Sequence, residues 1–291
     1  MSVSELELSQ TNFYEKTDLV VSASNFQKTL SLLRSFFLAK NFVEAHTQSR
    51  LSILAACEDP TTIQTFNYQG QDWPLPQTGQ MWLEYELLNK PDAAGYFCLS
   101  TSYRNEPNPI PGRHKTIFPM FEFESHGNFE DLKNLERELV DFLRIQDADK
   151  IPEKRYLDMA AKYNTKELNN EHEASMRDEF GPAILLTHFP IATSPFWNMH
   201  TKDGLASKID VIIEGQETIG SAERSCDAEA MYKSFHTISN GQYAKLLYEK
   251  FGESRIKNEL DSFLNLNFIP RFGGGIGVTR LVRALEIHHI I

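Results

Sequence analysis

The alternation of apolar and polar positions along the chain predicts a mixture of helices and strands. Between Ser24 and Lys40, apolar side chains recur at the spacing of an amphipathic helix. The stretch NFVEAHT then predicts an extended segment, and TIQTFNY alternates like a strand that ends at the turn around Gly70. The chain is therefore expected to begin with a helix followed by strands.

A long antiparallel hairpin is predicted from the strand-like stretches GYFCLSTSYRNE and KTIFPMFEFES, which the turn-forming NPIPGR joins. NFEDLKNLERELVDFLR predicts a helix capped by Asn128. Residues from about Ile151 to Arg177 also have polar helical character, whereas ILLTHFP and KIDVIIEG are typical of strands. DAEAMYKSFHTI is again helical, and a glycine cluster opens a last helix from Thr279 to Ile287.

These elements predict a single α+β domain over residues 24–291, with an antiparallel sheet flanked by helices. Residues 133–180 are interpreted as a helical insertion and residues 1–23 as an N-terminal extension. A chain of 291 residues with 41% hydrophobic content can fill a substantial core. We find no internal repeat, low-complexity tract or Pro/Gly-rich linker in the sequence.

The composition limits the cellular locations and the binding partners that we expect for the protein. Cys57, Cys98 and Cys226 form no CxxC pair, so we expect reduced thiols. The chain start lacks the order of a secretion signal, and no apolar run approaches the ~20 residues that span a bilayer, so a cytoplasmic protein without membrane contact is expected. The formal charge of -11 provides no global attraction for nucleic acid. It disfavours tRNA as a partner without excluding it, because a local basic face can form on an acidic protein.

The predicted hairpin carries residues suited to a nucleotide. Arg104, Glu106, His114 and Phe118 stand in the order R-N-E, loop, H-x-x-x-F, and the first two are expected on one face of a strand. A guanidinium suits phosphate oxygens, a carboxylate can accept from an amino group such as that of adenine, and an aromatic ring can stack on a purine. Taken alone, R-N-E on a strand is more often a solvated ion pair.

Two further segments carry candidate phosphate and metal chemistry. In FGGGIGVTRLVRAL, glycines up to Gly277 allow close backbone approach to a ligand and Arg280 can supply charge, although such a run is as often a loop or packing site. In KIDVIIEGQETIGSAERSCD, the carboxylates of Asp210 and Glu217 are hard oxygen ligands suited to Mg²⁺. Two acids near a turn are more often surface charge.

Together these segments resemble motifs 2 and 3 and the metal segment of class II aminoacyl-tRNA synthetases, in the asparaginyl/aspartyl branch. The resemblance extends from about Ser24 to the C-terminus. It implies catalysis by Arg104 and Arg280, and Mg²⁺ binding by Asp210 and Glu217. The implied ATP contacts are Arg104 at the α-phosphate, Glu106 at the adenine amino group, His114 and Arg280 at the γ-phosphate, Phe118 on the adenine ring, and Gly277 in motif 3.

An amino-acid site is implied by the same resemblance. LPQTGQMWLE is similar to the S-G-Q-L-x-x-E loop of asparaginyl enzymes, with Thr78, Gln80 and Glu84 in the Ser, Gln and Glu places. Arg224 follows Glu217 at the spacing of the arginine that holds the substrate side chain. The aspartyl enzymes carry a lysine at the place of Leu83, which counts partly against aspartate.

The resemblance implies an ATP-dependent ligase that forms an aminoacyl-adenylate and pyrophosphate. The form GGGIG-x-[S/T]-R looks more like ammonia-dependent asparagine synthetase, and no anticodon-binding domain is expected, so amidation of aspartate with ammonia is the favoured hypothesis. The alternatives are a truncated asparaginyl/aspartyl-tRNA synthetase paralogue that charges tRNA or another acceptor, and a non-catalytic regulatory paralogue. A homodimer is expected, although Gln48 stands where motif 1 of the family has a proline.

Overall fold

The computed structural model describes residues 22–47, 51–53, 61–106, 115–193 and 197–291. Within these residues the strands are β1 (Phe42–Glu44), β2 (Thr65–Tyr68), β3 (Gln71–Pro74), β4 (Gly95–Tyr103), β5 (Ile117–His126), β6 (Glu153–Arg155), β7 (Ala183–Pro190), β8 (Thr201–Lys202), β9 (Leu205–Ile213), β10 (Gln216–Glu223) and β11 (Arg271–Gly277). The helices are α1 (Ala23–Ala39), α2 (Gln80–Asn89), α3 (Phe129–Phe142), α4 (Tyr156–Lys162), α5 (Asn170–Phe180), α6 (Ala228–Thr237), α7 (Gln242–Phe251), α8 (Glu253–Leu264) and α9 (Val278–Ile287).

A large sheet with the strand order β1-β4-β5-β11-β10-β9-β7-β6 forms the centre of the domain, and β8 pairs with β9. The interior pairs are antiparallel, whereas β1 pairs with β4 and β6 with β7 in parallel. A separate two-stranded sheet joins β2 to β3. This architecture confirms the predicted α+β fold with an antiparallel sheet flanked by helices.

The strand period of two separates the sheet into an apolar and a polar face. In β5, Phe121 and Phe123 point into the main hydrophobic cluster, to which α1, α3 and α9 contribute. The ring centroid of Phe37 on α1 lies 5.3 Å from that of Phe121 and 5.2 Å from that of Phe123. The intervening residues of β5, including Phe118 and Met120, therefore face the opposite side, where they line a cavity.

A second hydrophobic cluster, which includes Trp197, Phe235 and Phe263, packs α6, α7 and α8 together. It also takes in Met81 and Leu88 of α2, whose first residue, Gln80, lines the cavity. The part of the cavity wall that α2 forms is thus held in place by this second hydrophobic cluster. Among the described residues, none of the helices combines the length and apolar character needed to cross a membrane.

Several predicted elements agree with the structure in detail. The helix predicted from Ser24 is α1, the predicted hairpin is β4–β5, and Asn128 caps α3 by accepting from the N–H groups of Glu130 and Asp131. One prediction is wrong locally: helical character is predicted from Ile151, but β6 joins the sheet there. The glycine cluster forms β11, and the helix predicted after it is α9.

The division into an extension, a domain and a helical insertion stays a prediction. The range 133–180 holds the rest of α3 together with β6, α4 and α5. His114, Gln48 and Cys57 lie outside the described residues, so the predictions that concern them also stay predictions.

Candidate active site

A cavity of about 330 Å³ lies on the polar face of the sheet, between β5, β9, β10 and β11 and the start of α2. Most residues that the sequence singles out meet there. Those that line the cavity are Gln80, Arg104, Glu106, Phe118, Glu217, Arg224, Gly277 and Arg280. Thr78, Glu84 and Asp210 do not line the cavity, but each contacts a residue that does: Gln80, Arg224 and Lys208, respectively.

The position of Arg104 is set by the backbone of the hairpin. Its N–H donates to the carbonyl of Thr116 at 2.7 Å, and its guanidinium carbon lies 5.2 Å from the centroid of the Phe118 ring. β4 ends at Tyr103, so Arg104 and Glu106 follow the strand instead of lying on it as predicted. They still line the same cavity, which therefore contains a guanidinium, a carboxylate and an aromatic ring.

Arg280 supplies a second guanidinium from the first turn of α9. Its Nη1 donates to the carbonyl of Glu217 at 2.5 Å and lies 3.8 Å from Oε2 of the same residue. Gly277 ends β11 and precedes the helix, so the N-terminal end of α9 forms part of the cavity wall. A helix N-terminus with an adjacent arginine suits the oxygens of a polyphosphate.

The Arg224 side chain is 3% exposed and is held by buried neighbours. Nε and Nη2 donate to Oε1 of Glu124 at 3.1 and 2.5 Å. With the amide of Gln80 turned so that its oxygen faces Arg224, that oxygen accepts from Nε at 3.0 Å and from Nη1 at 2.8 Å. Burial raises the pKa of the Glu124 carboxyl, and the charge of Arg224 opposes the rise.

A second buried ion pair lies behind the first. Arg271, which is fully buried, donates to Oε2 of Glu84 from Nε at 3.1 Å and from Nη2 at 2.8 Å. Asn198 donates to the other oxygen of Glu84 at 2.7 Å, and Arg224 lies 3.9 Å from that oxygen. Glu84 therefore supports Arg224 from inside the wall, and the two arginines are balanced by two glutamates.

The hydroxyl group of Thr78 forms hydrogen bonds that hold the loop before α2. It donates to Glu122, which also accepts from the N–H of Gly79 at 2.8 Å. The Thr78 hydroxyl accepts from the N–H of Gln80 at 3.0 Å. These bonds fix the loop against β5 and place Gln80 at the cavity.

The predicted metal ligands lie on neighbouring strands. Asp210 pairs with Gly220 across β9 and β10, and a Cβ atom at Gly220 would lie 3.1 Å from Oε1 of Glu217 and 3.8 Å from Oδ1 of Asp210. Burial is the main cause of the raised pKa of Asp210, Glu217 adds to it, and Lys208 opposes it. Glu173 accepts the backbone N–H of Glu217 at 2.9 Å.

Two carboxylates near one point suit Mg²⁺ in donor type. However, the ammonium of Lys208 lies 2.8 Å from Oδ1 and 2.9 Å from Oδ2 of Asp210. Among the described residues, no group of three or more His, Cys, Asp or Glu side chains has the placement of a metal site. Lys208 therefore competes with a metal ion for Asp210, and the Mg²⁺ site stays a prediction.

Sequence reasoning missed several residues that shape the site, above all Glu124, Arg271 and Lys208. The stretch MFEFES offered a signal, because Glu122 and Glu124 alternate with apolar residues in a strand and must either face solvent or be buried with partners. The spacing of Lys208 and Asp210, two residues apart in a strand-like stretch, offered a second signal. No comparable signal marked Arg271, because its partner Glu84 is distant in the sequence.

Comparison with known proteins places this fold and cavity in one family. The family model described as tRNA synthetases class II (D, K and N) matches residues 16–290. The chain therefore belongs to this family. The asparagine–tRNA ligase of Pelotomaculum thermopropionicum is 25% identical over 293 residues, which cover 88% of this chain and 64% of that protein.

Solved structures show the same fold. The asparaginyl-tRNA synthetase from Pyrococcus horikoshii complexed with asparaginyl-adenylate matches with a TM-score of 0.74 and 19% identity, over 90% of this chain and 64% of that one. The Entamoeba histolytica asparaginyl-tRNA synthetase in complex with asparaginyl-adenylate matches with a TM-score of 0.71 and 19% identity, over 90% and 63% of the two chains. The chain thus spans somewhat less than two thirds of the length of these relatives.

Proposed function

We propose that this protein is an AMP- and pyrophosphate-forming ligase that activates an amino acid of the asparagine/aspartate type with ATP. One observation carries the proposal: the cavity that contains Arg104 and Arg280 also contains Gln80 and Arg224. Groups suited to a polyphosphate and groups suited to a polar amino acid therefore share one space. The names of the relatives, which are asparagine–tRNA ligases, support the same chemistry.

In the proposed reaction, a carboxylate oxygen of the amino acid attacks the α-phosphorus of ATP. The new O–P bond forms while the bond from the α-phosphorus to the bridging oxygen breaks, and pyrophosphate leaves with that electron pair. The protein contributes by holding both substrates in line and by offsetting the charge that develops on phosphate oxygens. Arg104 is assigned to the α-phosphate, Arg280 to the departing phosphates, and Phe118 and Glu106 to the adenine.

Magnesium, when it accompanies ATP, supplies further positive charge to the phosphate oxygens. The chain's own contribution at this end of the cavity is the pair of Arg280 and Glu217, whose side chains are 27% and 39% exposed. Because Arg280 is already bonded to the backbone of Glu217, its position at the cavity is set before a nucleotide binds.

Asparagine fits the amino-acid end better than aspartate. The charge of Arg224 is largely offset by Glu124, so a substrate carboxylate would compete with a buried glutamate for one guanidinium. A neutral amide avoids this competition, because it can accept from arginine and donate to a carboxylate. Leu83, where a lysine would favour aspartate, is fully buried and apolar.

The acceptor of the activated amino acid follows from this preference. A side-chain amide cannot be amidated again, so a preference for asparagine favours transfer to tRNA or another acceptor over the amidation of aspartate with ammonia. Amidation remains the second candidate, since the sequence form of motif 3 favours it. The presence of Arg104, Arg224 and Arg280 in one cavity argues against a purely regulatory protein.

The test is exchange of labelled pyrophosphate into ATP, measured with each amino acid in turn. We expect exchange that depends on asparagine. Arg104→Ala should lower its rate by about two to four orders of magnitude, because a charge-assisted contact to the reacting phosphate is lost. Arg137→Ala is the matched control, since Arg137 is a half-buried arginine outside the cavity. No exchange with any amino acid, or equal rates in the two variants, would contradict the proposal.

A further inference from the structure

Lys208 is a buried cation in the wall of the cavity. It lies two residues before Asp210 on β9, so both side chains point to the same face of the sheet. Its Nζ contacts both oxygens of Asp210, at 2.8 and 2.9 Å, and the two side chains are only 13% and 11% exposed. The ring of Phe189 holds the ammonium from another side, with its centroid 4.0 Å from Nζ.

This contact decides what else Asp210 can bind. A metal ion coordinated by Asp210 must approach one of its oxygens to about 2.0–2.1 Å, as Mg²⁺ does in proteins. The ammonium donates a hydrogen bond to Oδ2 and lies 2.8 Å from Oδ1, which has no hydrogen-bond partner among the described residues. A second cation at Oδ1 would therefore lie close to the ammonium, and two cations at such short range repel each other strongly where water is scarce. Displacing Lys208 would also remove its contact with Phe189.

We propose that Lys208 is an internal cation that neutralises Asp210 in place of a divalent ion. The inference rests on the proposed function only in that the cavity is taken as a nucleotide site. Lys208 then cancels the negative charge of Asp210 in the cavity wall, so that Asp210 contributes little to the binding of a divalent ion. Removing the Lys208 charge exposes Asp210 beside Glu217 and creates a tighter site.

The experiment is a titration of the nucleotide-free protein with Mn²⁺, with free Mn²⁺ measured by electron paramagnetic resonance. Lys208→Met is compared with Lys202→Met, which removes an exposed lysine on the neighbouring strand β8. We expect Lys208→Met to tighten Mn²⁺ binding at least about tenfold, because the competing charge is gone. Lys202→Met should bind Mn²⁺ like the wild type, and adding Asp210→Asn to Lys208→Met should remove the gain.

A second comparison does not require that Lys208→Met folds. Lys208→Met combined with Asp210→Asn removes both charges of the pair and should leave Mn²⁺ affinity as it is in the wild type, because the pair contributes no net charge. Mn²⁺ binding in the wild type that this double variant weakens would overturn the proposal, as would equal affinities in the wild type and a folded Lys208→Met. Since no ATP or amino acid is present, the outcome is separate from whether the protein forms an adenylate.

Discussion

The charge balance around Arg224 determines the chemistry of the end of the cavity that Arg224 and Gln80 line. Arg224 and Arg271 face Glu124 and Glu84, and all four side chains are nearly or fully buried. A buried ion pair adds little net stability over apolar residues of the same size, but removing one partner leaves an uncompensated charge. The network therefore fixes the geometry of the cavity wall. We expect a substitution in it to be tolerated only when the ion-pair partner is substituted as well.

The first prediction concerns this pairing. Arg224→Leu should lower the free energy of unfolding by about 3–5 kcal/mol, because Glu124 loses the guanidinium that compensates its buried charge. Adding Glu124→Gln should recover a large part of the loss, since the charge itself is then removed. Urea unfolding of the single and double variants measures both effects.

Lys257→Leu serves as the control, because it breaks an exposed ion pair with Glu253 and should cost at most about 1 kcal/mol. A double variant as unstable as Arg224→Leu would show that the buried charge of Glu124 is not the cause.

At this scale the sequence predicts the residues that line the cavity better than the residues that support them. Arg104, Phe118 and Arg280 stand in segments whose spacing resembles known motifs, and they line the cavity. Arg271 carries no such mark, because its importance depends on burial beside a carboxylate that is 187 positions away in the sequence.

At the scale of elements, β11 shows why a glycine run does not by itself predict a strand. Glycine has a low strand propensity, so the run predicts a turn or a close approach. Here it is a central strand between β5 and β10. A Cβ atom at Gly273 would collide with the carboxylate of Glu124, and one at Gly274 would lie 2.6 Å from Cβ of Ser221. Pairing with β5 and β10 determines the strand conformation, and only glycine leaves room for the side chains of those two strands.

In the segment that begins at Ile151, pairing with a neighbouring strand again determines the conformation. β6 is a short strand of polar residues, Glu153 to Arg155, and nothing in its pattern distinguishes it from a helix start. Its strand conformation comes from parallel pairing with β7, which is a tertiary contact. By contrast, α3 was predicted well because its cap and its helical periodicity are both local features.

The second prediction concerns α3, which places Glu136 against the sheet. Glu136 is fully buried, accepts from the hydroxyl of Ser221 at 2.6 Å, and has one oxygen without a partner among the described residues. Burial raises its pKa to about 8; Asp210 adds to the rise, and Ser221 and Arg137 oppose it. The folded protein therefore holds this proton more tightly than the unfolded chain does, and stability is lost as the pH rises through this pKa.

Between about pH 5.5 and pH 8.5, the wild type should lose up to about 3 kcal/mol of unfolding free energy through this group. Glu136→Gln should remove that part of the pH dependence, whereas Glu138→Gln, on the exposed side of the same helix, should retain it. Urea unfolding at the two pH values measures the difference. Equal pH dependence in the wild type and Glu136→Gln would mean that Glu136 titrates normally.

At the scale of the whole molecule, the edge formed by β1 bears on assembly. Within the described residues, β1 is the end strand of the sheet and pairs only with β4. Val43 on this strand and Leu38 on the adjacent α1 are 47% and 53% exposed. An exposed edge strand with apolar side chains is a natural place for two copies to meet around a two-fold axis.

The third prediction is therefore a homodimer that uses this edge. Light scattering at micromolar concentration should give twice the mass of the chain, and Leu38→Asp with Val43→Asp should give a monomer. Ile191→Asp is the control, because Ile191 is similarly exposed but follows β7 near the other end of the sheet. A monomeric wild type would mean that the chain lacks this interface, and a dimer that survives the double change would place it elsewhere.

The last prediction concerns the overall reaction and follows from the pairing of Arg224 with Glu124. Pyrophosphate exchange should be at least about tenfold faster with asparagine than with aspartate, because a substrate carboxylate must compete with a buried glutamate. Aspartate with ATP and ammonium should then give no asparagine, even at alkaline pH, where free ammonia is available to attack an adenylate. Chromatography of the products, with tRNA added in a parallel reaction, separates the possible acceptors. Asparagine formed from aspartate would establish amidation and show that Arg224 holds a second carboxylate despite Glu124. Consumption of tRNA with asparagine as the substrate would instead identify the acceptor as the one that the relatives' names describe.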